Sequence, residues 1–167
     1  MEAPYSCPER RVESAWIDYN GHMNMAYYHL VFDQSLDRLF DELGIGADYA
    51  RSGGGSCFTV EVHVHYVQEV ALGDPLRVAY QLLDWDEKRM HFFATMHHAR
   101  AGYLAAMSEQ MSLHVDMRSR KAGPFPLDAQ RRIAALMSAH RHLPMPSQVG
   151  HVIGIPPARS KRDAAAR

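Results

Sequence analysis

The sequence holds little cysteine, no excess of either charge and no long apolar run, and each shortage removes a class of protein. Cys7 and Cys57 are the two cysteines in 167 residues, far apart and in no C-x-x-C pattern. A scaffold built on disulfides is excluded, and free thiols in a reducing cytoplasm suit two isolated cysteines better than one long-range bridge. Lys and Arg total 18 against 19 Asp and Glu, a formal charge of -1. A nucleic-acid binder needs a strongly basic face, so that class is set aside. No stretch reaches the ~20 apolar residues that cross a bilayer. Residues Met1 to Pro8 lack the basic start and apolar run of a secretory signal. The expectation is a cytoplasmic chain without a membrane span.

What is present is globular in character: 47% apolar and 22% charged residues, a mix that buries a core rather than staying disordered. A first strand is expected over Arg10 to Trp16, followed by a turn at Asp18-Tyr19-Asn20-Gly21-His22. From Asn24 the period becomes helical. Tyr28, Val31, Phe32, Leu36, Leu39, Phe40 and Leu43 share one side, with Asn24 as the N-cap and Gly44 as the C-cap glycine. Residues 45–57, with Gly53-Gly54-Gly55, read as a flexible connection. Four strands come next at Thr59–Val67, Leu76–Trp85, Met90–His98 and Tyr103–Val115. In the first of them Val60, Val62, Val64 and Tyr66 alternate with Glu61, His63 and His65. A short helix at Asp128–His140 precedes a loosely held tail carrying Pro144, Pro146, Pro156, Pro157, Arg159, Lys161 and Arg162. The chain therefore divides into a main domain, 1–127, and a C-terminal helix with tail, 128–167.

One long helix followed by four antiparallel strands cannot be a doubly wound sheet. The economical α+β solution curls the sheet around the helix. That leaves one sheet face and two edges bare, and a second copy of the chain covers them most simply. A homodimer is expected.

The segment Asp18-Tyr19-Asn20-Gly21-His22-Met23-Asn24 carries the chemistry. It sets a carboxylate a few residues ahead of a helix start, where unpaired N–H groups and partial positive charge can hold a developing oxyanion. A carboxylate there can attack a carbonyl or draw a proton from water. The same residues also describe an ordinary capped helix preceded by an Asx turn.

The run WIDYNGHMNMAYYHLVFDQSLD, with VHYVQEVALGDPLRV and AAMSEQMSLHVDMRSRKAGPFP beyond it, resembles the hotdog-fold thioesterases of the 4-hydroxybenzoyl-CoA thioesterase type, over roughly residues 10 to 127. More narrowly, DYNGHMN, GDPLRV and EQMSLHVD are similar to the betainyl-CoA thioesterase group associated with bacterial carnitine breakdown. The resemblance implies hydrolysis of an acyl-CoA to acid and free CoA without metal or redox cofactor. It also implies the hotdog fold, a homodimer, and often a homotetramer. Asp18 matches the catalytic aspartate, and Gly21, His22, Met23 and Asn24 match the loop and helix start that polarise the thioester carbonyl. A backbone N–H near Met23–Met25 is the expected oxyanion donor, with His22 and Asn24 bracing the loop. A non-catalytic acyl-CoA binding or sensing module on the same fold is the competing class; Asp18 in its DYNGHMN context favours the enzyme.

Further candidates surround this centre. The resemblance implies that strand residues such as Glu61, Glu109 and Gln110 line the acyl pocket from the partner subunit, with Glu109 or Gln110 orienting water; simple solvent-facing positions are the alternative. Trp16, Tyr19, Tyr27 and Trp85 offer aromatic faces to a quaternary ammonium group. Lys88, Arg89, Arg118, Arg120 and Lys121 are candidates for the CoA phosphates. Eleven histidines include His63/His65, His97/His98 and His140/His142. His-x-His on a strand is ligand-like, yet spacing supplies no third and fourth ligand, so no metal site is assigned. Most of the histidines are expected on exposed strand faces and in the last helix.

Overall fold

The apolar stripe beginning at Tyr28 forms α1, Met25–Leu43, in the computed structural model, which describes residues 2–155. Asn24 caps it by accepting the Ala26 N–H at 3.0 Å, and Gly44 closes it in the left-handed region at φ 76°. Two shorter helices are α2 (Ala47–Arg51) and α3 (Leu127–His140). The strands are β1 (Tyr5–Ser6), β2 (Arg10–Arg11), β3 (Ser56–Tyr66), β4 (Pro75–Trp85), β5 (Arg89–His98), β6 (Leu104–Asp116) and β7 (Lys121–Ala122). They make one antiparallel sheet in the order β1-β4-β5-β6-β3, with β2 also on β4 and β7 on β6.

The period of two along each strand decides which residues meet α1. Leu76, Val78, Tyr80 and Leu82 of β4, with Met90, Phe92, Ala94 and Met96 of β5, share one buried cluster with Val31, Phe32, Leu36 and Leu39 of α1. Each such side chain contributes roughly 1.5–3 kcal/mol by leaving water. On β6 the inward residues are polar: Ser108, Gln110, Ser112 and His114 are all buried. Gln110 donates to Ser108 Oγ at 2.8 Å and Tyr80 Oη at 3.4 Å, while the Tyr80 hydroxyl donates to the Phe32 carbonyl at 2.7 Å. This chain of bonds ties the central strands to α1.

Several expectations are corrected. The strand foreseen over Arg10 to Trp16 ends at Arg11, and Ser14–Trp16 winds as a 3-10 turn that tips Trp16 into the core. The connection 45–57 is not simply flexible: it contains α2, and its glycines allow close approach. A Cβ on Gly55 would sit 2.5 Å from His114 Nε2 and 2.7 Å from Tyr49 Oη. Along β3 the alternation slips, because Val60 is the extra residue of a bulge between Thr59 and Glu61. Residues beyond 127 join the main core, since Ala129, Ile133 and Leu136 belong to the same cluster. The tail from Pro144 to His151 is pinned to the sheet, while Pro156, Pro157, Arg159, Lys161 and Arg162 lie outside the described residues.

Two histidines, His114 of β6 and His140 of α3, are buried. His114 bonds the Tyr49 hydroxyl at 3.0 Å and the Gly123 carbonyl at 2.9 Å. His140 Nδ1 accepts the Leu82 N–H at 2.9 Å, beside the β4 bulge, and its Nε2 lies 3.1 Å from the Glu2 carbonyl. At His140 this use of both nitrogens needs a neutral ring, Nδ1 accepting and Nε2 donating. Burial accordingly pushes His140 below its ordinary 6.5. The unfolded chain then binds a proton that the folded chain refuses, so stability is full above 6.5 and falls as pH drops toward the folded value. His140→Ala is expected to cost about 2–3 kcal/mol at neutral pH by orphaning the Leu82 N–H. Urea unfolding on both sides of pH 6.5 checks this: the variant should lose stability less steeply with acid than the native chain, and an equal slope would contradict the assignment.

Candidate active site

Residues 17–24 fold into a tight loop that ends on α1. Ile17 and Met23 form an isolated antiparallel bridge, the Asp18 N–H donates to His22 O at 3.1 Å, and the Gly21 N–H returns to Asp18 O at 3.0 Å. Gly21 sits at φ 84°, where a side chain would be strained. The loop is fastened to the body by Met23 N–H to Val70 O and Asn24 N–H to Trp16 O, both 2.9 Å. Met23 is buried beneath it.

This backbone fixes the Asp18 carboxylate. Oδ1 accepts the Asn20 N–H at 2.8 Å, the expected Asx turn, and Oδ2 lies 3.4 Å from Asn24 Nδ2 as its acceptor. The Asn24 amide therefore serves two ends at once, holding Asp18 with its nitrogen and the helix with its oxygen. The N–H groups of Met23, Asn24, Ala26 and Tyr27 are all engaged. Among the described residues the Met25 N–H has no acceptor, as the first turn of a helix leaves it. Of the region Met23–Met25, one donor remains free beside the carboxylate loop.

Met25 opens onto a cleft of about 200 Å³ that it lines with His22, Tyr28, Tyr66, Val67 and Glu69. His22 Nδ1 is 3.3 Å from Met23 O, and its Nε2 is 3.9 Å from Glu69 Oε2. The Tyr66 hydroxyl donates to Met25 O at 3.3 Å, and its ring meets Tyr28 edge-on at 5.3 Å. Burial pushes both phenols up, so they stay neutral donors. Met25 falls in the region expected to supply the oxyanion donor, whereas Tyr66, Val67 and Glu69 lie outside the site residues the sequence singled out. The signal for them lies in the strand-end run Tyr66-Val67-Gln68-Glu69, which the fold returns to the helix start.

The remaining candidates separate. Tyr19 is 97% exposed beside Asp18. Trp16 is buried and stacks on Tyr27 at 5.6 Å and 15°, with the Arg10 guanidinium 5.9 Å from its ring, so it supports the loop and offers no open face. Gln110 faces inward and is spent on Tyr80 and Ser108. Glu61 and Glu109 pair with Met111 and Phe93 on the outer face of the sheet, away from α1 and Asp18. There Glu109 holds His91 at 2.8 Å and, with Glu61 and His63, borders a cleft of about 340 Å³. Trp85 ends β4, eleven residues and so ~35 Å along from the end near Asp18.

Lys88, Arg89, Arg118, Arg120 and Lys121 gather at that same distant end, so none reaches Asp18 of its own protomer. Arg89 is committed to Asp86, whose carboxylate its hydrogen bonds, helped by the Lys88 N–H, hold down at about 2. Arg120 lies 5.7 Å from the Phe58 ring. Among the described residues no three or more His, Cys, Asp or Glu side chains converge to hold a metal ion, and no helix is long and apolar enough to cross a membrane.

Because Asn24 caps α1 through its side-chain oxygen, Asn24→Ser should retain stability and Asn24→Ala should lose about 1 kcal/mol. Urea unfolding of the two variants checks the cap; equal stability would contradict it.

Comparison with known proteins agrees with this architecture. Residues 12–133 match the family described as the thioesterase-like superfamily. A betainyl-CoA thioesterase of Pseudomonas aeruginosa is 40% identical over 151 residues, 90% of this chain and 95% of that protein. An L-carnitine dehydrogenase/betainyl-CoA thioesterase of Rhizobium meliloti is 36% identical over 90% of this chain, which spans 30% of that longer protein. Among solved structures, a Staphylococcus aureus protein in complex with CoA superposes with TM-score 0.85 at 29% identity, covering 93% of this chain and 99% of that one. A 1,4-dihydroxy-2-naphthoyl-CoA thioesterase from Synechocystis shares the fold at TM-score 0.70 and 18% identity, over 78% and 95% of the two chains. The chain is a hotdog-fold member of the thioesterase-like superfamily.

Proposed function

We propose that this chain is an acyl-CoA thioesterase and that betainyl-CoA is its substrate. One observation carries the chemistry: a carboxylate, Asp18, held by Asn24 beside a helix start whose Met25 N–H is free. A thioester carbonyl accepting that N–H gains stabilisation as its oxygen becomes negative, aided by the helix dipole. Asp18 then either attacks the carbonyl carbon, forming an anhydride that water opens, or takes a proton from an attacking water. On both routes the C–S bond breaks, the CoA sulfur leaves and is protonated, and the acid forms with one water consumed. Neither route calls on a metal or redox cofactor.

The betainyl assignment rests on the 40% identical Pseudomonas aeruginosa relative and on the surroundings of the cleft. Tyr28 and Tyr66 line it with aromatic rings and Glu69 with a carboxylate, groups that suit a quaternary ammonium. Two free thiols, Cys7 and Cys57, both pushed up to about 12 by burial, fit a reducing cytoplasm and take no part in the chemistry.

The active form is a homodimer joined through β3. That strand is an edge, 11 residues long, with Val60 and Val62 at 55% and 40% exposure. A long apolar edge left bare is a template for another strand. Antiparallel pairing of two β3 strands about a two-fold axis sets the far end of one protomer against the Asp18 end of the other. The partner's Arg118, Arg120 and Lys121 thereby approach the cleft that their own Asp18 cannot share, where CoA phosphates need cations. Pairing of such dimers into a tetramer would use the outer faces.

Thiol release from a panel of acyl-CoA esters tests the reading. Betainyl-CoA should be cleaved faster than an uncharged ester of equal length, and Asp18→Asn should lower kcat about 100- to 10,000-fold. Binding of the esters without release would make the chain a non-catalytic module, and unchanged release by Asp18→Asn would remove Asp18 from the mechanism.

A further inference from the structure

The residues after α3 cross the outer face of the sheet in a fixed direction. The Pro144 carbonyl accepts Gln81 Nε2 of β4 at 3.3 Å. The Gly150 N–H donates to Glu109 Oε2 of β6 at 2.8 Å. His151 then lies between two β3 rings, 5.6 Å from His63 and 5.8 Å from His65. With the strand order β4-β5-β6-β3, the segment has run from one side of the sheet to its open edge, three strand spacings or ~14 Å.

From Val152 to Ile155 the chain is apolar and bare. Val152, Ile153 and Ile155 are 83%, 84% and 98% exposed, the largest run of exposed aliphatic side chains along the described residues. An aliphatic run in water marks an interaction site more often than an accident. Its position selects the occupant, because the segment points over the β3 edge, beyond which none of the described residues of this protomer lies.

We propose that residues 152–155 form an arm that clasps the outer face of a second copy of this chain. The proposal rests on the β3-paired dimer and adds a contact that strand pairing alone does not supply. When two β3 strands pair so that outward residues oppose outward residues, Phe58 faces the partner's His63 across the axis. The arm leaves its own sheet at His63 and His65. It therefore arrives on the partner's Phe58. Phe58 is on the outer face, since it pairs with Leu113, and it is 38% exposed despite being a large aromatic ring. Four residues extend about 13 Å, enough to cross two further strands. Phe58 of the same protomer is at least five residues back along β3 from His63, ~17 Å or more, and the arm runs across the strands rather than along them. The two arms are related by the same axis and fasten the dimer from both sides.

Sedimentation equilibrium on the full-length chain separates the arm from the strand edge. Three proteins are compared: the native chain, an edge variant with Val60→Asp and Val62→Asp, and an arm variant with Val152→Asp, Ile153→Asp and Ile155→Asp. The native chain should be a dimer, the edge variant a monomer, and the arm variant a dimer whose dissociation constant is raised tenfold or more. A native dimer whose affinity the arm variant leaves unchanged overturns the arm and spares the paired strands. A native monomer overturns both. A second variant keeps the arm testable if the charged one folds poorly: Phe58→Cys with Ile153→Cys should give a covalent dimer on non-reducing electrophoresis after mild oxidation, and monomer alone would overturn the proposal.

Discussion

The Asn24 side chain is the interaction on which the site depends. Its oxygen satisfies the Ala26 N–H and so starts α1; its nitrogen meets the Asp18 carboxylate. A helix cap and a reactive group are thereby one object. The carboxylate cannot move without loosening the helix, and the helix cannot fray without releasing the carboxylate. Because the neighbouring N–H groups of Met23 and Asn24 are drawn off to Val70 and Trp16, the Met25 N–H is the donor left without an acceptor at the start of α1 among the described residues. The Met25 N–H stays available because the N–H groups on either side of it, Asn24 and Ala26, already have acceptors.

The sheet makes this arrangement rigid and also leaves it incomplete. Its inner face grips α1 through the aliphatic residues of β4 and β5 and through the polar line from Gln110 by Tyr80 to Phe32. Its outer face carries histidines, carboxylates and the crossing segment 144–151. The β3 edge has no covering element among the described residues, and the basic residues stand a full strand length from Asp18. A single protomer thus holds the Asp18 carboxylate at one end and its cluster of basic residues at the other. Two-fold pairing along β3 is the simplest operation that unites them.

The helix, the four long strands and the Asp18 loop were legible in the sequence because each rests on local signals: the 3.6-residue stripe from Tyr28 to Leu43, the alternation along β3 to β6, and the Asn-Gly turn. Strand period also placed Glu61 and His63 on one face. It could not say that this face looks away from α1, because a period of two is blind to which side is buried. Trp16 and Trp85 looked alike as aromatic candidates, yet one is core and the other lies at the distant end of β4, a difference set by tertiary path. The burial of His114 and His140 was hidden for the same reason, since their partners Tyr49, Gly123, Leu82 and Glu2 are remote in sequence. The Gly53-Gly54-Gly55 run reads as flexibility locally, and its real constraint, contact with Tyr49 and His114, comes from elsewhere in the chain.

The proposed mechanism has the substrate carbonyl meet the Met25 N–H with the Asp18 side chain poised on its carbon. A crystal structure of the Asp18→Asn protein holding uncleaved betainyl-CoA examines that geometry directly. The carbonyl oxygen should lie about 2.9 Å from Met25 N. The carbonyl carbon should lie about 3–3.5 Å from a side-chain oxygen or nitrogen at position 18, or one water removed from it. A thioester seated instead in the outer-face cleft beside His91 and Glu109 would contradict this placement of the chemistry.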